Sequence, residues 1–467
     1  MTPKPPRKHR SYWLEQVAGD QPDAPPLKGA LKTDIAIVGG GYVGLWTAIR
    51  IKQQDPSCEV SLIEMDICGG GASGRNGGFA LSWWPKISSL VRLCGREEGA
   101  AIAKDSQAAI DEIQRFCGEH HLDVQFKKSG WLWTATSNAQ INAWESVASL
   151  CENLGVDVFR RLPPDEIARR SGSCAHRAGI VDTTAAMLHP ARLARGLRKV
   201  ALERGVRIFE HTKVLSFTRT RPVKIKVPEG LLTADKLIIA NNAWAAGITE
   251  LARRIVPITS DMIMTAPAKT AIEKTGWTGG EGITDSQVMV DYYRVTEDSR
   301  IAFGKGGWGI AFGGSIGDDF DRNTDRAKTV EADFRRYYPE LKDVAVTHDW
   351  CGPIDRTPNS LPLMGRFERQ EQIIYGVGWS GNGVGPSVIG GKVLASLALG
   401  RDDRWARYPL VQKSVGLFPP EPIRYIGAHI VRTAVACKER AEIEDKKPSW
   451  LATRLSSLAP KGLEDKE

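Results

Sequence analysis

One short run constrains this chain more than any other: Asp34–Gly44, DIAIVGGGYVG. The apolar stretch Ile35–Val38 predicts a buried strand, and Gly39-x-Gly41-x-x-Gly44 follows it directly. A helix-like stretch comes next, then a second apolar run, Val60–Ile63, that ends on Glu64. Strand, glycine turn, helix, strand and acid in that order form the dinucleotide-binding unit of a doubly wound α/β sheet. Gly39 permits the tight turn, Gly41 lets the backbone approach a pyrophosphate, and Gly44 lets helix and strand pack closely. The helix N-terminus, with Tyr42 and Val43 in its first turn, then faces the phosphates with free N–H groups. Glu64 is spaced to bind a ribose hydroxyl pair.

Composition narrows what can surround this unit. A chain of 467 residues holds two domains, or one interrupted by another. No stretch approaches 18 uninterrupted apolar residues, so no membrane span is expected. The N-terminus MTPKPPRKHRSYW is basic but lacks the apolar core of a secretory leader. Eight cysteines without a CxxC pair argue against a disulfide framework or zinc site and suit a reducing cytoplasm. The net charge of +8 reads either as solubility with a basic tail or as a field that draws in anionic substrates or cofactors. Its basic residues are spread along the chain and not interleaved with aromatics, so no nucleic-acid partner is expected. His120 and His121 are adjacent and do not share a helix face, so no metal site is expected there. Most of the 14 tryptophans belong in the core or at a domain interface.

The order of elements predicts threading rather than two tandem domains. Residues 1–33 read as a tail in which Trp13–Val17 forms a short turn. A discontinuous dinucleotide-binding domain is expected over 34–88, 160–245 and 352–410. A substrate domain is expected over 89–159 and 246–351, and a helical extension over 411–467. Helices are predicted at 97–121, 138–154 and from Pro190 to about Arg204. Strands are predicted at Gly130–Thr136, Val206–Glu210, Lys213–Thr218, Val223–Val227 and Leu237–Ala240. Val288–Val295 and Ile301–Lys305 read as a hairpin around Thr296–Ser299. The fold class is therefore α/β, a Rossmann-type domain with an interleaved α+β antiparallel-sheet domain.

Three motifs in order carry a resemblance over about residues 33–410: GGGYVG at 39–44 with Glu64, GASGRNGG at 71–78, and GWSGNGVGPSVIGGKVLA at 378–395. Together they resemble the FAD-dependent D-amino acid oxidase and glycine oxidase superfamily. The second motif looks like the loop of the glutamylputrescine-oxidase type. The stretch DICGGGASGRNGGFALSWW at 66–84 and PPEPIRYIG at 419–427 look closest to aminophosphonate oxidoreductases. The resemblance implies that Gly39, Gly41 and Gly44 hold the FAD pyrophosphate and Glu64 the adenosine ribose. It also implies that Ser73, Gly74, Arg75, Asn76, Gly77 and Gly78 wrap the pyrophosphate, ribityl chain and flavin edge. Val214 matches the position whose backbone contacts adenine. Gly378, Ser380, Gly381 and Gly383 would offer N–H groups to the flavin pyrimidine edge, and the helix starting near Pro386 would point its positive end there. Sarcosine oxidases of the superfamily attach FAD to a cysteine five residues before a Thr-Pro. Here Gly352 stands at that spacing from Thr357-Pro358, with Cys351 one place off, so non-covalent FAD is expected. Their carboxylate-gripping lysine is replaced by Gly385.

The resemblance implies hydride transfer from an amine α-carbon to flavin N5, and an imine that water hydrolyses to an aldehyde or keto acid. Oxygen or another acceptor would take the electrons. The expected substrate is a small amine with an anionic group, an aminophosphonate being the most specific expectation. The alternatives are a glutamylputrescine-like polyamine oxidase, a D-amino acid dehydrogenase and, in another class, an FAD-dependent biosynthetic or RNA-modifying enzyme. On the hairpin, Tyr292 and Arg294 share a face and form a candidate anion clamp. Lys305 on the partner strand is a candidate for holding an anion or aiding oxygen. Trp379 and Asn382, inside the third motif, are candidate pocket residues. The bland alternative for each is packing or solvent exposure. A phosphonate site would need two or three cationic donors; a polyamine site would need acidic or aromatic lining.

Overall fold

The computed structural model describes residues 9–413, 416–460, 462, 464 and 465. Residues 1–8 of the expected tail, and 414, 415, 461, 463, 466 and 467 of the expected extension, lie outside the described residues.

Two eight-stranded sheets organise the chain. The first runs in the order Leu363–Phe367, Gln370–Val377, Glu229–Ile239, Lys28–Val38, Val60–Ile63, Arg207–Phe209, with Val223–Val227 and Ser216–Phe217 alongside. Lys28–Val38 lies parallel to both Val60–Ile63 and Glu229–Ile239. The helices Tyr42–Gln54 and Ser387–Leu399 pack on each other beside this sheet. A Cβ on Gly391 would sit 2.6 Å from that of Trp46, so only glycine lets the two helices approach this closely. This is the expected α/β Rossmann-type layer.

The second sheet runs Val346–Arg356, Val256–Thr265, Ile301–Ile310, Asp291–Val295, Gly282–Thr284, Trp131–Ala135, Ala178–Asp182, Phe159–Leu162. All its pairs are antiparallel except Gly282–Thr284 with Trp131–Ala135. The hairpin expected at 288–305 is present as Asp291–Val295 and Ile301–Ile310.

Three expected boundaries shift. Phe159–Leu162 and Ala178–Asp182, expected with the first sheet, extend the second, because their partners are in Trp131–Ala135 and in each other. Val346–Arg356 straddles the boundary drawn at 352 and pairs in the second sheet along its whole length. Residues 28–33, expected in the tail, are the first half of the central strand. Ahead of them, the helix Tyr12–Gln16 buries Trp13 between His189 and Trp350. Ser11 donates to the Gly74 carbonyl, and Arg10 pairs with Asp66 at 2.5 Å. The segment 9–17 therefore clamps the second glycine loop.

The helix expected at 97–121 spans Arg96–Glu119, and the one from Pro190 ends at Glu203. That expected at 138–154 is shorter, Glu145–Asn153. The extension contains Ile423–Ile443 and Trp450–Ser456. Glu439, buried on the first of these helices, accepts from Met289 N at 3.0 Å and fixes the extension to the second sheet. Among the described residues no helix is long and apolar enough to cross a membrane.

Candidate active site

The parallel strands Lys28–Val38, Val60–Ile63 and Glu229–Ile239 end together, and their C-terminal ends deliver Gly39, Glu64 and Asn241 to one crevice. That is where an open α/β sheet binds its ligand. From it a single cavity of about 670 Å³ runs to the second sheet. Gly39, Glu64, Val214 and Asn241 line the first end, while Tyr292, Arg356 and Trp379 line the second.

At the first end, Gly39 has φ +114°, and a Cβ there would lie 2.4 Å from the Ala240 carbonyl oxygen. A Cβ on Gly44 would lie 2.0 Å from the Gly39 carbonyl oxygen, so the helix closes on the strand only as glycine. Gly41 is extended and borders the cavity, its nearest obstacle being Ser73 Oγ at 3.0 Å. Ser73 Oγ also accepts from Tyr42 N at 2.9 Å and ties the two glycine loops together. The Glu64 carboxylate accepts from Gly40 N at 2.7 Å and Asp66 N at 2.9 Å, which fixes its orientation at the rim. Asn241 Oδ1 is buried in this wall and has no partner among the described residues. A long cavity, a glycine floor and an unsatisfied buried acceptor fit the adenosine and pyrophosphate of FAD.

The remaining sequence-predicted cofactor residues divide. Tyr42, Val43, Ser73, Arg75, Asn76, Gly77, Val214, Ser380, Gly381 and Gly383 line the cavity. Gly44, Gly74, Gly78 and Gly378 lie behind its wall. Gly74 and Gly78 are needed there, because Cβ atoms would meet the Gly69 carbonyl oxygen at 2.4 Å and the Leu188 carbonyl oxygen at 2.0 Å. In the third motif, Gly378 N and Ser380 N donate to the carboxylate of buried Asp355, at 2.5 and 3.2 Å. These two N–H groups thus hold the loop in shape and do not point at the cavity, which corrects the expected role. Burial pushes the Asp355 carboxyl up to about 7, against the opposing pull of these backbone donors.

At the second end the hairpin candidates part company. Tyr292 lines the cavity, its hydroxyl 2.6 Å from Ser260 Oγ. Gly304 leaves room for its ring, since a Cβ there would lie 2.3 Å from Tyr292 Cζ. Burial raises its pKa, so the hydroxyl stays neutral. Arg294 shares that face but does not reach the cavity. It donates to the Gly77 and Leu188 carbonyls at 2.7 and 2.8 Å and lies over the Trp13 ring. An anion clamp at Arg294 is thereby replaced by a brace for the second glycine loop.

Lys305 is also directed elsewhere. It is buried on the opposite side of the sheet, 3.0 Å from Asp291 and 3.1 Å from Asp333. These carboxylates outweigh burial and keep it protonated. Lys305→Met leaves Arg336, 2.8 Å from Asp333 and 3.9 Å from Asp291, as the cation of this buried pair, and is expected to lower unfolding free energy by about 3 kcal/mol. Chemical denaturation measures the loss, and the KM of the folded fraction is expected to stay near that of the parent.

Trp379 lines the cavity and packs on the helix Ser387–Leu399, where a Cβ on Gly390 would meet the ring at 2.5 Å. Asn382 lines it too and donates to the Ser82 carbonyl at 3.1 Å. Gly385 faces the Leu81 carbonyl, 2.9 Å from a built Cβ, so no lysine would fit at this position. Cys351 Sγ is turned toward the Asp319 carbonyl, 3.3 Å away, while Gly352 borders the cavity. Trp83 and Trp84 are buried packing residues outside the lining.

Sequence reasoning missed Arg356. It ends the strand Val346–Arg356, lines the cavity and donates to Ser360 Oγ at 3.0 Å. Burial lowers its pKa to about 10, and the Glu464 and Asp355 carboxylates act in the opposite sense. Its position immediately before Thr357-Pro358 is the one sequence signal that could have drawn attention to it. Phe79 was also missed; its ring meets Tyr292 edge-on, centroids 6.0 Å apart.

Comparison with known proteins agrees with this geometry. The family model described as "DAO: FAD dependent oxidoreductase" matches residues 34–397. The chain is 26% identical over 402 residues to the probable oxidoreductase OrdL of Haemophilus influenzae, covering 85% of this chain and 89% of that protein. It is 25% identical over 405 residues to the gamma-glutamylputrescine oxidoreductase of Escherichia coli, covering 85% and 91%. Among solved structures, glycine oxidase from Geobacillus kaustophilus superposes with a TM-score of 0.67 at 18% identity, covering 82% of this chain and all of that one. The chain belongs to the DAO family of FAD-dependent oxidoreductases and is an enzyme of the amine and amino acid oxidase type.

Proposed function

We propose that the enzyme oxidises the C–N bond of a small amine or amino acid carrying one anionic group, with Arg356 holding that group. The observation that carries this reading is the placement of Arg356 in the wall of the cavity's second end, beside Thr284, Tyr292 and Trp379. Arg75, the other cation there, is engaged by the carbonyls of Gly70, Cys351, Asp321 and His9. One arginine fork with neighbouring hydroxyls suits a carboxylate. A phosphonate would want further cations, so a carboxylate-bearing amine is favoured over the aminophosphonate of the sequence reading. The aromatic wall of Phe79, Tyr292 and Trp379 also suits the glutamylputrescine-like alternative.

FAD, when bound, supplies the hydride acceptor. The chain's own residues then do the rest. Arg356 orients the substrate by its anion, the aromatic walls exclude water, and the neutral Tyr292 hydroxyl offers one hydrogen bond without competing charge. The cofactor is read as non-covalent, because Cys351 is turned from the cavity and Gly352 borders it. The eight cysteines are all unpaired thiols, which fits a cytoplasmic enzyme. Anaerobic mixing of FAD-loaded enzyme with amino acids, N-methyl amino acids, glutamylputrescine and aminophosphonates tests the substrate class. Bleaching only by amines that carry an anion supports it, and equal bleaching by simple alkylamines overturns it.

A further inference from the structure

The second glycine loop, residues 69–78, presents Gly71, Ser73, Asn76 and Gly77 to the cavity. Six of its ten residues are glycine. Glycine loses more freedom on ordering than any other residue. A loop of this composition with nothing behind it would have to be ordered by FAD itself, at a cost in affinity.

The structure orders the loop from behind. Ser11 Oγ donates to the Gly74 carbonyl at 2.5 Å, and Leu14 covers Gly74, its Cδ2 2.8 Å from a built Cβ. Arg75 donates to the His9 carbonyl at 2.6 Å. The Arg75 carbonyl accepts from Trp350 Nε1 at 2.8 Å, and the Gly77 carbonyl from Arg294 Nε at 2.7 Å. Trp350 and Arg294 come from different strands of the second sheet, yet both rest on the ring of Trp13. Trp350 meets it edge-on with centroids 6.4 Å apart, and the Arg294 guanidinium lies 5.1 Å from its centre. Ahead of the loop, Arg10 holds both carboxylate oxygens of Asp66, at 2.5 and 3.0 Å, and Asp66 N donates to Glu64. Among the described residues, none of 10–17 lines the cavity.

We propose that residues 10–17 set the affinity for FAD without touching it, by pre-ordering the second glycine loop, with Ser11 and Trp13 as positioning residues. Three loop carbonyls, those of Gly74, Arg75 and Gly77, are fixed by Ser11 directly and by two side chains that share Trp13 as their backing. Without this clamp the carbonyls lose their fixed donors, and only a fraction of the loop's conformations can bind FAD. The proposal is independent of which amine is oxidised. Tyr12, in the same segment, faces elsewhere: its hydroxyl donates to Asp298 at 2.6 Å, in the turn of the substrate hairpin.

The test dilutes the holoenzyme of the full chain and follows released flavin by its fluorescence, with the melting temperature of the apo chain measured in parallel. Ser11→Ala removes the bond to Gly74 together with the cap on Leu14 N, and is expected to weaken FAD binding by about three- to tenfold. Trp13→Leu takes the backing from Trp350 and Arg294 and is expected to weaken it by at least about tenfold. Tyr12→Phe loses the hydroxyl contact to Asp298 and keeps the loop contacts, so its FAD affinity is expected to stay within about twofold of the parent. Parent-like affinity in Ser11→Ala overturns the clamp, and that variant decides alone if Trp13→Leu does not fold. Equal losses of affinity in all three variants, in step with a lower melting temperature of the apo chain, also overturn it. Residues 10–17 would then stabilise the fold as a whole and not the loop.

Discussion

Substituting Arg356 by methionine is expected to cut kcat/KM for an anionic amine by about 100-fold, most of it in KM. A hydrogen-bonded charge contact contributes about 1.5–3 kcal/mol, and each 1.4 kcal/mol is a factor of ten. The anion is remote from the bond that breaks, so its contact serves ground state and transition state alike and its loss falls on KM. A simple alkylamine of the same length is expected to lose less than about threefold. Steady-state kinetics on both substrate types checks it. Equal losses on both would assign Arg356 to the fold rather than to the substrate.

The second large effect is expected at Gly41. Its backbone is extended, with φ −82° and ψ −177°, a conformation that any residue adopts. A Cβ there meets only the Ser73 hydroxyl, at 3.0 Å, and otherwise points to the cavity. Gly41→Val is therefore expected to fold, with unchanged secondary structure, and to lose FAD affinity by at least about 100-fold, because the branched side chain fills space the pyrophosphate needs. Gly39→Ala contrasts with it. Its φ of +114° and the 2.4 Å approach to the Ala240 carbonyl oxygen strain the backbone itself, so stability falls together with FAD binding. Circular dichroism with flavin stoichiometry separates the two outcomes. Full FAD occupancy in Gly41→Val would contradict the placement of the pyrophosphate.

The nucleotide end of the site was legible in the sequence because its logic is local. Gly39, Gly41, Gly44 and Glu64 lie on one strand–turn–helix–strand unit, and their spacing alone brings them to one crevice. The substrate end was less legible because it is assembled from distant segments. Strand alternation correctly put Tyr292 and Arg294 on one face, yet it says nothing about depth. Two residues along the strand, Arg294 meets Gly77 and Leu188 in place of the cavity. Lys305 was misread because its partner strand places it beside Asp291 on the opposite face. Arg356, the last residue of its strand, carries no periodic signal.

Anaerobic flavin reduction tests the central claim most directly. FAD-loaded enzyme is mixed with an amine bearing a carboxylate, and the visible flavin band is followed before and after air is admitted. The account predicts bleaching on mixing, with an imine-derived aldehyde or keto acid formed in equal amount. The rate at which colour returns then distinguishes oxygen from another acceptor. A flavin that dithionite reduces but that no amine in the panel bleaches would contradict the account.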